Sequence, residues 1–194
     1  MTRQTDQPVE RLNLQASNRL VQELVHHLAD GRITVDLPYQ RGPVWTLDQR
    51  IALVKSWLAG TPIPAIIAND RMNLEWEKRH GQFTAGKALW AIIDGRQRIE
   101  TAAAWLGSEF AVPASWFPAD SVEITEDTPD GLYVRFSGLT ETARRIFENR
   151  CALPVALGSV GSVEEEAEIY LRVNGGGTLQ TGDDMARAEQ IARV

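Results

Sequence analysis

The sequence predicts an α+β protein: a small mixed sheet with surrounding helices and a helical C-terminal part. Three observations carry that reading. Stretches with apolar residues at helical spacing alternate with short runs of strand character. The apolar run Ala88–Ile93 passes straight into Asp94-Gly95 and then into a helical pattern. Residues 127–131 (Asp-Thr-Pro-Asp-Gly) stand between two β-rich runs, as a hairpin turn would. The 194 residues, 43% hydrophobic and 24% charged, suit one soluble domain with a sizeable core.

Each element has its own signal. Residues 1–17 are polar and lack a period, which reads as a loose arm before a single domain over 18–194. Leu20, Val21, Leu24, Val25 and Leu28 recur at helical spacing, with Ser17 or Asn18 as N-cap and Gly31 as the stop. Ile33, Val35 and Leu37 alternate with polar residues in a short strand closed by Pro38. Thr46 and Gln49 form a capping-box pair for a helix bearing Ile51, Val54, Trp57 and Leu58, ended by Gly60. Pro62 and Pro64 frame a strand through Ala65–Ala68, and the polar stretch Asn69–Gly86 reads as a long loop or irregular hairpin. Strand Ala88–Ile93 and a helix carrying Ile99, Ala102, Ala103 and Leu106 follow. The hairpin pairs Val122–Thr125 with Leu132–Phe136. Thereafter come a helix over Thr140–Asn149, a strand over Ala152–Leu157, a helix over Ser162–Val173, a break at Asn174–Gly177, and a last helix from about Thr181.

Composition removes several function classes. With 20 Lys+Arg against 26 Asp+Glu, the formal charge is -6, unlike a protein that coats nucleic acid or anionic membrane by its overall field. One cysteine cannot build a disulfide framework, and Cys151 has no sequence partner to activate it, so it reads as a small buried side chain. No stretch approaches the ~20 apolar residues of a membrane span, and the polar start is no signal peptide, which makes the cytoplasm the expected location. His26, His27 and His80 lack a zinc-ligand spacing. Residues 81–87 spell GxxxxGK, but Ala88 offers no hydroxyl for Mg²⁺, and the segment precedes a strand instead of following one. It reads as a turn with an exposed lysine.

Three polar clusters stand at element boundaries: Tyr39–Trp45, Asp94–Arg98 and Asn174–Thr178. The second makes the most chemical sense. A helix N-terminus offers unpaired N–H groups and the positive end of the dipole to a phosphate. Gly95 lets the backbone approach, and Arg98 can fork onto phosphate oxygens. Asp94 suits a Mg²⁺ ligand or an orienter of water, and Gln97 can place that water without changing protonation state. The bland alternative makes Asp94 an N-cap and both arginines solvated. Arg96 and Arg98 would then oppose the dipole, which favours the functional reading. In the first cluster Gln40 and Arg41 are candidate ligand contacts, while Tyr39 and Trp45 suit the core. The triple glycine is either a phosphate nest or a plain helix break.

Taken in order, Tyr39-Gln40-Arg41, Trp45, Ile63-Pro64, Ile93–Arg98 and Val173–Gly177 resemble the N-terminal domain of GmrSD-type restriction enzymes over roughly residues 18–190. The resemblance implies a ParB/sulfiredoxin-like fold and a DGQQR motif tied to binding and hydrolysis of GTP or another NTP such as ATP. It further implies regulation of DNA cleavage in phage defence; Mg²⁺, held by Asp94, is the cofactor the residues themselves suggest. Asp94, Gly95, Gln97 and Arg98 match the motif; Gln40, Arg41, Asn174 and Gly175 match its flanks. On that footing Asp94, Gln97 and Arg98 are the catalytic candidates. Gln40, Arg41, Gly95, Arg96, Arg98, Asn174 and Gly175 are the nucleotide-binding ones, with Asp94 the metal ligand. Arg96 replaces the motif's first Gln, which puts hydrolysis in doubt while leaving phosphate binding. The family's nuclease part has no counterpart before Val194, so cleavage by this chain alone is not expected. Two other functions compete. One is a ParB-like DNA-binding or nicking module with a basic face from Arg41, Arg96, Arg98, Arg144, Arg145 and Arg150. The other is a non-catalytic domain that engages a DNA-cleaving partner.

Overall fold

The computed structural model describes residues 11–40, 42, 44–81, 88–174 and 190–191. Its strands are β1 (Gln15–Leu20), β2 (Ile33–Thr34), β3 (Ile66–Asp70), β4 (Trp90–Asp94), β5 (Ala111–Pro113), β6 (Glu126–Thr128), β7 (Gly131–Arg135) and β8 (Ala152–Gly158). The α-helices are α1 (Val21–Ala29), α2 (Leu47–Ala59), α3 (Leu74–His80), α4 (Arg96–Leu106), α5 (Glu141–Arg150) and α6 (Val163–Asn174). The α+β class holds: a five-stranded mixed sheet in the order β1-β8-β3-β4-β2, and a three-stranded sheet in the order β5-β7-β6.

Strand β4 organises the larger sheet. It pairs antiparallel with β3 and parallel with β2. Its side chains alternate between two cores: Ile92 joins the main one, and Ala91 and Ile93 join a smaller one. Burial on both faces explains why this strand is a continuous apolar run instead of an alternating one. The main core gathers Val21 and Leu24 of α1, Val54 and Trp57 of α2, Ile99 and Trp105 of α4, and Phe147 of α5. Trp105 is fully buried, its ring 5.6 Å from Phe136 and 6.2 Å from Phe147 in edge-on contacts. The smaller core, built from Leu37, Tyr39, Ala167 and Tyr170 with β4, lies beneath α6.

Local signals held where they were chemical. Thr46 accepts from Gln49 N while the Gln49 side chain accepts from Thr46 N, a complete capping box, and Gly60 closes α2 at φ 65°. Thr140 caps α5 by accepting from Ala143 N. Cys151 is buried, which pushes its thiol up to about 12 and keeps it protonated.

Four elements differ from the sequence-based expectation. The stretch expected as arm and helix cap is in part strand β1, whose backbone pairs antiparallel with β8 from Gln15↔Leu157 to Leu20↔Ala152. Leu20 therefore ends a strand and stands at the N-cap position, in place of Ser17 or Asn18. The loop expected over 69–86 contains α3, capped by the Asn73 side chain accepting from Trp76 N. His80 thus ends a helix, with its ring stacked 4.1 Å from that of Trp76. The hairpin is tighter than read, with β6 at 126–128, and β7 also pairs with the unexpected β5. Strand β2 stops at Thr34, short of Val35 and Leu37. Residues 82–87 of the GxxxxGK stretch lie outside the described residues, as does the start of the helix expected near 181, of which residues 190–191 are described and helical.

Candidate functional site

The site begins where β4 hands over to α4. Asp94 is the last residue of the strand, and Gly95 makes the turn at φ 99° as the N-cap of α4. Asp94 is therefore not the cap. The turn admits only glycine for two reasons. That φ is unfavourable for L side chains, and a Cβ there would stand 2.7 Å from Arg98 Nη1 and 2.9 Å from Ile66 Cγ1. The Gly95 carbonyl accepts from Arg98 N (3.0 Å) and Ile99 N (3.3 Å). The N–H groups of Arg96 and Gln97 have no partner among the described residues, and the first turn of α4 carries no acidic side chain. The positive end of the helix is left open.

Two glutamines with fixed amides flank this end. Gln97 Oε1 accepts from both Val44 N and Trp45 N at 3.2 Å, fastening the loop that precedes α2 onto α4. Because both partners are donors, the oxygen must face them, which leaves the Nε2 amine on the other side. Gln40 is oriented in the opposite sense. Its Nε2 donates to the carbonyls of Ile92 and Ile93, both at 2.6 Å, and its buried Oε1 has no partner among the described residues.

The charged residues divide. Arg98 Nη1 bridges Asp94 Oδ2 (3.3 Å) and the Ala65 carbonyl (3.2 Å), with the arginine side chain 17% exposed. Arg96 reaches along its own helix to Glu100 (2.8 Å) and across to Asp36 (3.5 Å). Asn174, near the end of α6, donates through Nδ2 to the Tyr170 carbonyl at 2.9 Å. Gln40, Asp94, Gly95, Gln97, Arg98 and Asn174 line one cleft of ≈ 150 Å³, to which Arg96, Trp45, Ile93 and Tyr170 contribute as well. The structure thus brings together the described members of the sequence-predicted set. Arg41 and Gly175 lie outside the described residues.

Sequence reasoning missed the scaffold behind the cleft. Glu166 is 0% exposed. Its Oε1 accepts from Asn69 Nδ2 (2.8 Å) and Arg71 Nε (2.9 Å), and its Oε2 from Arg71 Nη2 (2.6 Å) and the Tyr39 hydroxyl (3.3 Å). Asn69 also holds Val160 through both ends of its amide, and the Arg71 guanidinium lies 4.3 Å over the Trp76 ring. Burial, and then the Glu166 charge, push the Tyr39 phenol far above its ordinary range. The network ties α6 to β3 and to the residue next to Gln40. Its one sequence signal was Glu166 sharing a helical face with Tyr170, an acid on an otherwise apolar stripe.

Among the described residues no group of three or more His, Cys, Asp or Glu could hold a metal ion, and no helix is long and apolar enough to cross a membrane. Of the arginines considered for a basic face, four have partners for their side chains among the described residues. Arg96 and Arg98 sit on α4 with carboxylate partners. On α5, Arg145 pairs with Glu141 (2.6 Å) and Arg144 gives its Nη1 to the Leu139 carbonyl (2.6 Å).

Comparison with known proteins gives one clear result. Residues 21–189 match the family model described as the GmrSD restriction endonuclease, N-terminal domain. No curated protein and no solved structure matches the chain.

Proposed function

The chain belongs to the GmrSD restriction endonuclease N-terminal domain family, and on that premise we propose that its cleft binds the phosphates of a nucleoside triphosphate, GTP or ATP. One observation carries the reading. The first turn of α4 carries no acidic side chain and leaves the Arg96 and Gln97 N–H groups open beside Arg98 in the cleft. Those donors, with the Gln97 amine, suit the oxygens of a phosphate chain. Arg98 turns from the Asp94 carboxylate toward the phosphate as it binds, a substitution of one anion for another.

The replacement of the motif's first Gln by Arg96 bears on this in a specific way. Position 96 contributes its backbone N–H to the anion site, and that group is independent of the side chain. The Arg96 guanidinium is occupied by Glu100 and Asp36. Phosphate binding therefore survives the replacement, and hydrolysis depends on Asp94 and Gln97. Asp94 orients a water by accepting from it, and the Gln97 amine donates to the same water or to a phosphate oxygen. The fit for Mg²⁺ is a single-carboxylate one: Asp94 would hold it together with phosphate oxygens and water, a mode Mg²⁺ commonly uses. When bound, the ion would neutralise phosphate charge. In a restriction system such a domain would act as a nucleotide-dependent regulator of a DNA-cleaving partner.

A nucleotide panel by thermal shift, with Mg²⁺, tests the proposal, followed by phosphate release for any hit. GTP or ATP is expected to raise the melting temperature, and Arg98→Ala to remove the rise. A flat response to every nucleotide would sink it.

A further inference from the structure

The phosphate reading accounts for the donors of the cleft and leaves Gln40 unexplained. Gln40 is 8% exposed, lines the cleft, and has a buried Oε1 with no partner among the described residues. An unpaired buried acceptor carries a penalty that folded proteins rarely leave standing without a use. Rotating the amide offers no relief. Nε2 is engaged by two strand carbonyls, Ile92 O and Ile93 O, and a flipped amide would set oxygen against both. The side chain is thus an acceptor of fixed direction, held by the same β4 that delivers Asp94 to the site.

Phosphate cannot satisfy it. Ionised phosphate oxygens are acceptors, as are carbonyls, so an anion seated on α4 leaves Gln40 Oε1 as it was. What satisfies it is an O–H or N–H group. We infer that Gln40 is a specificity residue whose Oε1 accepts a hydrogen bond from the nucleoside part of the occupant, so that the cleft distinguishes a nucleotide from a bare polyphosphate. This rests on the nucleotide reading above and adds to it a second recognition element of opposite polarity. Two sources carry the required donor, a ribose hydroxyl or a base N–H. A site built to accept from a ligand group rejects the analogue that lacks it much more strongly than an apolar pocket does.

The test deletes donors from the ligand, so the wild-type protein carries it. Dissociation constants are measured by calorimetry with Mg²⁺ for inorganic tripolyphosphate, GTP and ATP. They are then measured for the 2′,3′-dideoxy and base-N-methylated forms of whichever nucleotide binds. One of the two deletions is expected to weaken binding by about ten-fold, toward the tripolyphosphate value. The dideoxy form identifies the ribose as donor, the methylated form the base. Gln40→Met, whatever it loses in common for every ligand, should be indifferent to the deletion that wild type feels, the signature of a direct pair. Should both deletions leave affinity unchanged, or should Gln40→Met remain sensitive to them, the inference falls and the phosphate reading stands. A Gln40→Met effect equal for tripolyphosphate and nucleotide assigns Gln40 a packing role and overturns it too. Failure of every ligand to bind removes both readings together.

Discussion

Two polar clusters meet on the α6 side of β4, and they are built to opposite rules. Around Glu166 each carboxylate oxygen has two donors, and the group is sealed from water. Around Gly95 the first N–H groups of α4 are open, Gln40 Oε1 is unpaired, and one nitrogen of Arg98 is shared between two acceptors. A buried charge is tolerable only with its bonds complete. An incomplete cluster raises the energy of the free protein, and a ligand that completes it recovers that energy on binding. The first cluster is therefore built as a stabilising one, while the second keeps the open bonds that recognition of a ligand would use, though they adjoin at Tyr39 and Gln40.

The largest effect should come from breaking the complete cluster. Glu166→Ala leaves Arg71, Asn69 and Tyr39 without their acceptor in a closed site, at a cost of about 3–5 kcal/mol by urea unfolding. A loss below about 1 kcal/mol would mean that the network is dispensable and the contrast is wrong. Gly95→Ala strikes the other cluster through its backbone. The positive φ and the contacts with Arg98 and Ile66 predict a loss of about 1–3 kcal/mol. Its nucleotide response should disappear entirely, so function falls much further than stability.

A pH series sharpens the contrast at their junction. The Tyr39 phenol ionises near 10.0 when unfolded and resists ionisation when folded, because burial and Glu166 disfavour the phenolate. The unfolded chain thus loses this proton first. Its contribution is whole below pH 10 and declines as pH climbs beyond, by about 1.4 kcal/mol per unit. Urea midpoints compared between wild type and Tyr39→Phe from pH 9 to 11 should show the steeper fall in wild type. Parallel curves would place Tyr39 outside the network. The smallest effect belongs to Arg98→Ala, about 1 kcal/mol or less by urea unfolding, since a partly solvated pair contributes little. A large stability loss there would make Arg98 a scaffold residue instead of a ligand contact.

How far the sequence could be read follows the same division. The capping box of α2 and the Asp94–Arg98 turn were legible because their physics is local, a few residues bonding to one another. Strand β1 was not. Its residues are mostly exposed, so no apolar alternation marks it, and it exists through backbone pairing with a distant strand. Helix α3 buries none of its residues and is held by the Asn73 cap and the Trp76 stack, features that resemble loop composition. Glu166 hid within Glu164-Glu165-Glu166, a run that reads as a solvated first turn until its partners in β3 and beside Gln40 are known. The motif residues were found, whereas the direction of the Gln40 and Gln97 amides is decided by backbone groups far along the chain.

The strand order β1-β8-β3-β4-β2 also bears on how the molecule is made. Strand β8 lies between β1 and β3, yet it leaves the ribosome after every other strand among the described residues. Until residues 152–158 emerge, β1 has no partner and β3 presents a bare hydrogen-bonding edge. Synthesis therefore passes through a long interval in which an apolar strand edge is available to other chains. Closure of the sheet is a late, long-range event of the kind that slows folding. The cleft, which needs both β4 and the α6 that follows β8, takes shape only after that closure.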